Sequence, residues 1–208
     1  GSTSYLLPIR NPVLAAEEVA VLDCLSGGRV ILGVGRGFQD AMFKIFEIPT
    51  KQKRAIFRQN LNVMISAWKG EPVGQHENQE VFLSPLPIQK PYPPIWVAAF
   101  GPLAIKQAGQ LGLPYIASPV ESLKSLETNI KQHRQHAEEA GHDEIATTPI
   151  MRTVFVTDDS VLERKVKENL EKESAARVRD KDSSVEDWAI VGSQQYVDDK
   201  ISEYIERL

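Results

Sequence analysis

The sequence predicts an α/β fold built on parallel strands. Three observations lead there. Short apolar runs alternate with longer segments of helical period, five times along the 208 residues. The run Pro94-Ile-Trp-Val-Ala-Ala-Phe100 is continuously apolar, as strands buried on both faces are. Each strand-like run is followed by a helix-like one, which implies right-handed crossovers. Two architectures satisfy this pattern: a doubly wound open sheet, and part of a β/α barrel.

The elements follow in order. Ser2 to Leu7 reads as a strand. Asn11-Pro12 opens a helix, with Asn at the cap and Pro at the first helical position. Its apolar positions Leu14, Ala15, Val19, Leu22 and Leu25 recur at helical spacing. Arg29 to Gly35 is the second strand. Gln39 to Thr50 holds scattered aromatics and a proline, so no helix is expected to open there. Residues 51–69 form an amphipathic helix through Ile56, Leu61, Met64, Ile65 and Trp68, stopped at Gly70.

A polar, proline-rich excursion runs over 71–93, with Val81-Phe82-Leu83 a candidate strand in a small hairpin. Pro94 to Phe100 is the third core strand, and Gly101-Pro102 starts the next helix. Leu113 to Ala117 is the fourth strand, followed by a helix over 121–140 that stops at Gly141. Ile150 to Val156 is the fifth strand, followed by a charged helix over 160–176. Trp96 and Phe155, on strands, read as core. Asp180 to Asp187 is polar and acidic, and residues 177–192, with Trp188, are expected to be a mobile lid over the strand ends. Ser193 to Leu208 is a final helix with the stripe Val197, Ile201, Tyr204 and Ile205.

Composition excludes several function classes. The chain is 42% hydrophobic and 25% charged, with net charge −4, which suits a globular domain with a sizeable core. The mildly acidic balance argues against nucleic acid as a partner. One cysteine, Cys24, rules out an internal disulfide and points to a reducing, cytoplasmic setting, with Cys24 as apolar filler. No apolar run approaches a membrane span.

The most informative stretch is Leu25-Ser-Gly-Gly-Arg-Val-Ile-Leu-Gly-Val-Gly-Arg-Gly-Phe38. A strand here opens into a glycine-rich turn carrying Arg36. Glycines admit a ligand close to the backbone, and an arginine offers a planar fork for phosphate. A dinucleotide fingerprint does not fit. Phe38 stands where its third glycine belongs, and Arg54 and Arg58 occupy the region of its acidic residue.

The motif Leu22-Asp-Cys-Leu-Ser-Gly-Gly-Arg29 with Gly33-Val-Gly-Arg-Gly37 resembles a signature of the luciferase-like flavin monooxygenases. So do Ser2 to Pro12, Pro93-Pro-Ile-Trp-Val-Ala-Ala99, Gln107-Ala-Gly-Gln-Leu-Gly-Leu-Pro-Tyr-Ile116 and Ala140-Gly-His-Asp143. The resemblance covers nearly the whole chain. It implies a (β/α)8 TIM barrel, present as about strands 3 to 7 in one domain over 1–208. Such a barrel is incomplete, so further residues at both ends, or a partner chain pairing the open edges, are expected.

The resemblance also implies an FMN-dependent monooxygenase, using reduced flavin and O2 on a small organic substrate. A flavin reductase and a second copy of the chain are the implied partners. An F420-dependent hydride-transfer enzyme, or a non-catalytic flavin-binding subunit, are the alternatives. Carried over residue by residue, the phosphate site is Arg36, Phe38 (through its backbone), Arg54, Phe100 and Gly101. Thr3-Ser4 matches a bulge and non-proline cis peptide against the flavin ring. No catalytic residue is assigned. His133 and His136, at i and i+3 of one helix, with His142 and His76, read as surface histidines rather than a metal centre.

Overall fold

A buried carboxylate anchors the start of the chain. Helix α1, Pro12–Ser26, begins at Asn11, whose side chain accepts the Val13 and Leu14 amides at 3.0 and 3.2 Å. It ends at Gly27 in the left-handed region, φ 67°. Asp23, in its last turn, has no exposed surface. Its carboxylate accepts the Gln89 amide N–H at 2.9 Å and the Gln89 side-chain N–H at 2.7 Å. The same Gln89 nitrogen donates to the Val30 carbonyl at 2.8 Å. The α1 stripe differs from the expected one. Ala15, Ala16, Val19 and Ala20 are buried, while Leu14, Leu22 and Leu25 are exposed. The small residues take the inner face because they let the helix backbone lie close to its neighbours.

The computed structural model describes residues 2–175, 178 and 183–208, with Ser2 and Thr3 described by their backbone. The chain forms two compact units, 1–98 and 99–208. In the first, strands β1 (Ser2–Leu6), β2 (Leu32–Gly35) and β5 (Ile95–Ala98) run parallel, β2 in the middle. Leu32 pairs with Ile95 and Gly35 with Ala98. Every residue of β2 is buried, so its run of apolar residues and glycines reads as a central strand.

After β2 a short helix α2 spans Asp40–Ile45, where no helix was expected. Six residues are too few to display a helical period, and the buried Phe43 fixes them instead. Helix α3, Lys53–Trp68, follows a 3-10 turn at Thr50–Gln52. It is pinned at two points. Asn60 donates to the Leu7 and Arg10 carbonyls at 2.8 and 3.0 Å, and Trp68 donates to the Ala16 carbonyl at 2.9 Å.

The excursion contains a hairpin of β3 (Gly74–His76) and β4 (Gln79–Val81), exposed throughout. Phe82 and Leu83 lie beyond it. Its turn residues Glu77 and Asn78 both have positive φ, 48° and 62°, which matches the twist of a two-residue hairpin.

In the second unit, α4 (Pro102–Gln110) leads to β6 (Tyr115–Ile116), α5 (Leu123–Glu139), β7 (Thr153–Val156), α6 (Ser160–Ser174), β8 (Ala189–Gly192) and α7 (Gln194–Arg207). Strands β7 and β8 are parallel neighbours, Thr153 opposite Ala189 and Val156 opposite Gly192. Strand β8 is a correction to the expected lid. Ala189–Gly192 is buried, and Trp188 joins Val120, Val185, Ala189 and Val191 in one core. Residues 177 and 179–182 of the expected lid lie outside the described residues. Phe155, read as core, is more than a third exposed on β7.

Helices α4 and α5 meet at Gly109, where a built Cβ would stand 2.6 Å from the His133 carbonyl oxygen and 2.8 Å from the His136 Cβ. Gly109→Ala should destabilise the fold by about 1–3 kcal/mol through overpacking. Asp23→Ala should cost about the same, since it leaves the half-buried Gln89 backbone N–H and one of its two side-chain N–H groups without an acceptor. Urea unfolding at unchanged slope checks both.

Candidate cofactor site

The glycine turn at the end of β2 is shaped by what lies against it. A Cβ at Gly35 would fall 2.6 Å from the Ser4 hydroxyl and 3.1 Å from the Ser4 Cβ. Gly37 has φ 73°, and a Cβ there would meet Met42 Cε and Phe43 Cζ at 3.0 Å each. The left-handed backbone at Gly37 disfavours a side chain there, one at Gly35 would press on the Ser4 side chain, and the backbone folds closely over the buried Phe43. Between them Arg36 is half-buried, and Phe38 projects outward, 77% exposed.

The start of α3 brings further cations to this turn. The Lys53 ammonium donates to the Gly37 carbonyl at 3.3 Å and sits 5.3 Å from the centre of the Phe43 ring. Arg54 is the next residue and is exposed. Burial, and then the Arg54 charge, push the Arg36 guanidinium below its ordinary range. A half-buried cation beside a like charge is an environment that an anion relieves.

The expected bulge is present: the β1–β2 register slips between Thr3 and Tyr5. Ser4 lies against Gly35, at the head of the turn. The non-proline cis peptide expected at Thr3–Ser4 is not found: the cis peptides among the described residues are Ser84–Pro85 and Lys90–Pro91, both before proline. Phe100 and Gly101 belong to the second unit. There Gly101, φ 92°, is the N-cap of α4 with no side-chain cap, and Pro102 takes the first helical position.

The histidines differ in part from the expected surface set. His133 is buried, its Nε2–H donating to the Leu113 carbonyl at 2.9 Å and its ring 5.3 Å from that of Tyr115. The α4–α5 approach at Gly109 closes over it, which periodicity alone cannot show. His136 pairs with Glu139 at 3.1 Å, and the exposed His142 donates to the Gln110 carbonyl at 3.0 Å. His76 is exposed on the hairpin. Among the described residues no group of three or more His, Cys, Asp or Glu is placed to hold a metal ion.

A groove of about 640 Å³ runs along α5 in the second unit, lined by Ile130, Arg134, His142, Ile145, Arg207 and Leu208 among others. None of the expected site residues lines it. Lys53 was missed by sequence reading. The Lys53-Arg54 pair opening a helix was the one available signal.

Parallel strands each followed by a helix, with a glycine turn closing a buried strand, define a β/α architecture. The model of the luciferase-like monooxygenases matches residues 1–208. The chain belongs to the luciferase-like monooxygenase family, and its fold is that of the family's TIM barrels. It is 28% identical over 147 residues to the alkanal monooxygenase alpha chain of Photorhabdus luminescens, covering 69% of this chain and 41% of that one. The chain thus spans about two fifths of the length of these curated relatives.

Among solved structures, the oxygenating constituent of 3,6-diketocamphane monooxygenase from Pseudomonas putida, in complex with FMN, matches with TM-score 0.74 at 21% identity. That match covers 99% of this chain and 68% of that one. The coenzyme F420-dependent tetrahydromethanopterin reductase of Methanopyrus kandleri matches with TM-score 0.69 at 21% identity, over 95% and 71% of the two chains. No helix among the described residues is long and apolar enough to cross a membrane.

The buried His133 carries a pH dependence. Burial, partly offset by its bond to Leu113, holds its pKa below the ordinary value of 6.5. The unfolded chain therefore binds a proton that the folded chain refuses. The contribution is intact above about pH 6.5 and is lost as pH falls toward the folded value. His133→Gln keeps a donor for Leu113 without titrating. Its urea midpoint should fall less between pH 7.5 and 5 than that of the unmutated protein.

Proposed function

We propose that this chain binds FMN and serves a flavin-dependent monooxygenase that oxygenates a small organic substrate with O2. The observation that carries the reading is the half-buried Arg36, near enough to Arg54 to feel its charge, in a turn whose Gly37 holds a left-handed backbone. The residues fit an anionic head group. Two guanidinium groups suit the two charges of a phosphate monoester and can meet its oxygens with charge-assisted bonds. The Phe38 backbone N–H adds a neutral donor, and Ser4, which lies against Gly35, with its neighbour Thr3 on β1, would meet the flavin ring. In the second unit, the uncapped α4 start at Gly101 is locally suited to an anion, and Phe100 precedes it.

Reduced flavin, when bound, supplies two electrons to O2, so that one oxygen atom enters the substrate and the other leaves as water. This chain's residues bind and orient the cofactor. NAD(P)H, directly or through a reductase, renews the reductant, and the protein works as a homodimer in the cytoplasm.

A second reading is F420-dependent hydride transfer, which the Methanopyrus kandleri neighbour favours. FMN is preferred because the phosphodiester of F420 carries one negative charge where two arginines stand.

Arg36→Ala and Arg54→Ala should each weaken FMN binding by about 1.5–3 kcal/mol, the range for hydrogen bonds to charged groups. Riboflavin binding should barely change. Flavin fluorescence titration measures both. Equal affinity of the unmutated protein for FMN and riboflavin would overturn the reading.

A further inference from the structure

The ammonium of Lys53 is held from two sides. It donates to the Gly37 carbonyl at 3.3 Å, and it lies 5.3 Å from the centre of the Phe43 ring. Phe43 has no exposed surface and is the ring over which Gly37 folds. The helix that carries Lys53 is itself tied down by Asn60 and Trp68. Lys53 is therefore a fixed point beside the Gly37 turn.

The loop needs one. Gly37, at φ 73°, is a glycine with access to both halves of conformational space. Its own preference does not fix the plane of the peptide that follows. That peptide, Gly37–Phe38, is trans; the cis bonds are at Ser84–Pro85 and Lys90–Pro91. In a trans peptide the C=O and the N–H point in opposite directions. A carbonyl drawn toward Lys53 turns the Phe38 N–H to the other side.

We propose that Lys53 is a positioning residue, which locks the Gly37–Phe38 peptide plane so that the Phe38 N–H is presented with Arg36 to a phosphate monoester. The inference rests on the phosphate reading above and adds to it how the neutral donor is aimed. Lys53 acts on the carbonyl rather than on the anion. A neutral donor should then do part of its work, as far as its reach allows, whereas a residue that served by charge alone could not be replaced that way.

The test uses purified protein with FMN and riboflavin as probes, in the unmutated chain and in Lys53→Met, Lys53→Gln and Arg36→Ala. Methionine removes both donor and charge, and glutamine keeps an N–H donor without charge. Lys53→Met should weaken FMN about three- to tenfold, the effect of one hydrogen bond, and leave riboflavin within about twofold. Lys53→Gln should recover part of the FMN affinity.

Glutamine as weak as methionine overturns the proposal if the Phe38 amide resonance of the FMN-free variant stays at its unmutated position, because the peptide plane would then be intact and charge would be the active property. A shifted resonance means the plane was lost with the affinity, as the proposal requires. FMN affinity unchanged in Lys53→Met overturns it as well. Failure of the phosphate reading has a different signature: the unmutated protein binds FMN and riboflavin alike, and Arg36→Ala changes neither. Lys53→Gln, the milder change, also serves alone if the methionine variant does not fold. Where its FMN-free Phe38 amide resonance keeps the unmutated position, the FMN-induced displacement of that resonance must persist at the unmutated size, and its loss overturns the proposal.

Discussion

Asp23 is a carboxylate sealed from water, and the position of the glycine turn depends on it. A buried charge is costly unless its oxygens are met by donors. Gln89 meets both, one with its backbone N–H and one with its side chain, and the same side chain reaches the Val30 carbonyl. Three stretches are joined at that point: the end of α1, the return of the 71–93 excursion, and the chain entering β2. The far end of β2 is where Gly35, Arg36 and Gly37 stand. Their placement is inherited from a contact at the opposite end of the strand.

The second unit uses the same device with the charge reversed. The Arg152 guanidinium donates to the Tyr204 hydroxyl and the Glu121 carbonyl at 2.7 Å, and to the Ser118 carbonyl at 3.3 Å. It thereby ties the loop after β6 to the approach to β7 and to α7. Glu121 is buried and accepts the Ser118 amide and the Asn129 side chain at 2.7 and 2.6 Å. The nearby Tyr115 is buried with no hydrogen-bond partner for its hydroxyl, and burial pushes its pKa up. In both units an irregular connection is held by a polar side chain, the fully buried Asp23 in the first and the half-buried Arg152 in the second.

Much of this was legible in the sequence. The Asn11-Pro12 start of α1, the Ser193 start of α7, and the strand that opens into the glycine turn all carry local signals: a capping side chain, a proline, an uninterrupted apolar run. What escaped lacks such signals. Strand β8 is four residues behind an acidic stretch, and pairing with β7 defines it. Helix α2 is shorter than two turns. The inner face of α1 was misread because Leu14, Leu22 and Leu25 outrank alanine in apolarity, yet the small residues are the ones that fit. At the site, the resemblance singled out Arg36 and Arg54, but the role of Lys53 depends on a hydrogen bond sixteen residues back along the chain.

The hairpin at Gly74–Val81 has a different kind of consequence. All six of its strand residues are exposed, and its two turn residues adopt left-handed backbone without a glycine between them. It shares no hydrogen-bonded ladder with the parallel strands. Chain can be lengthened at such a tip without opening a core. Positions 77 and 78 thus offer an attachment point for a fluorophore, an affinity tag or a whole inserted domain, and a place where related sequences are free to diverge in length.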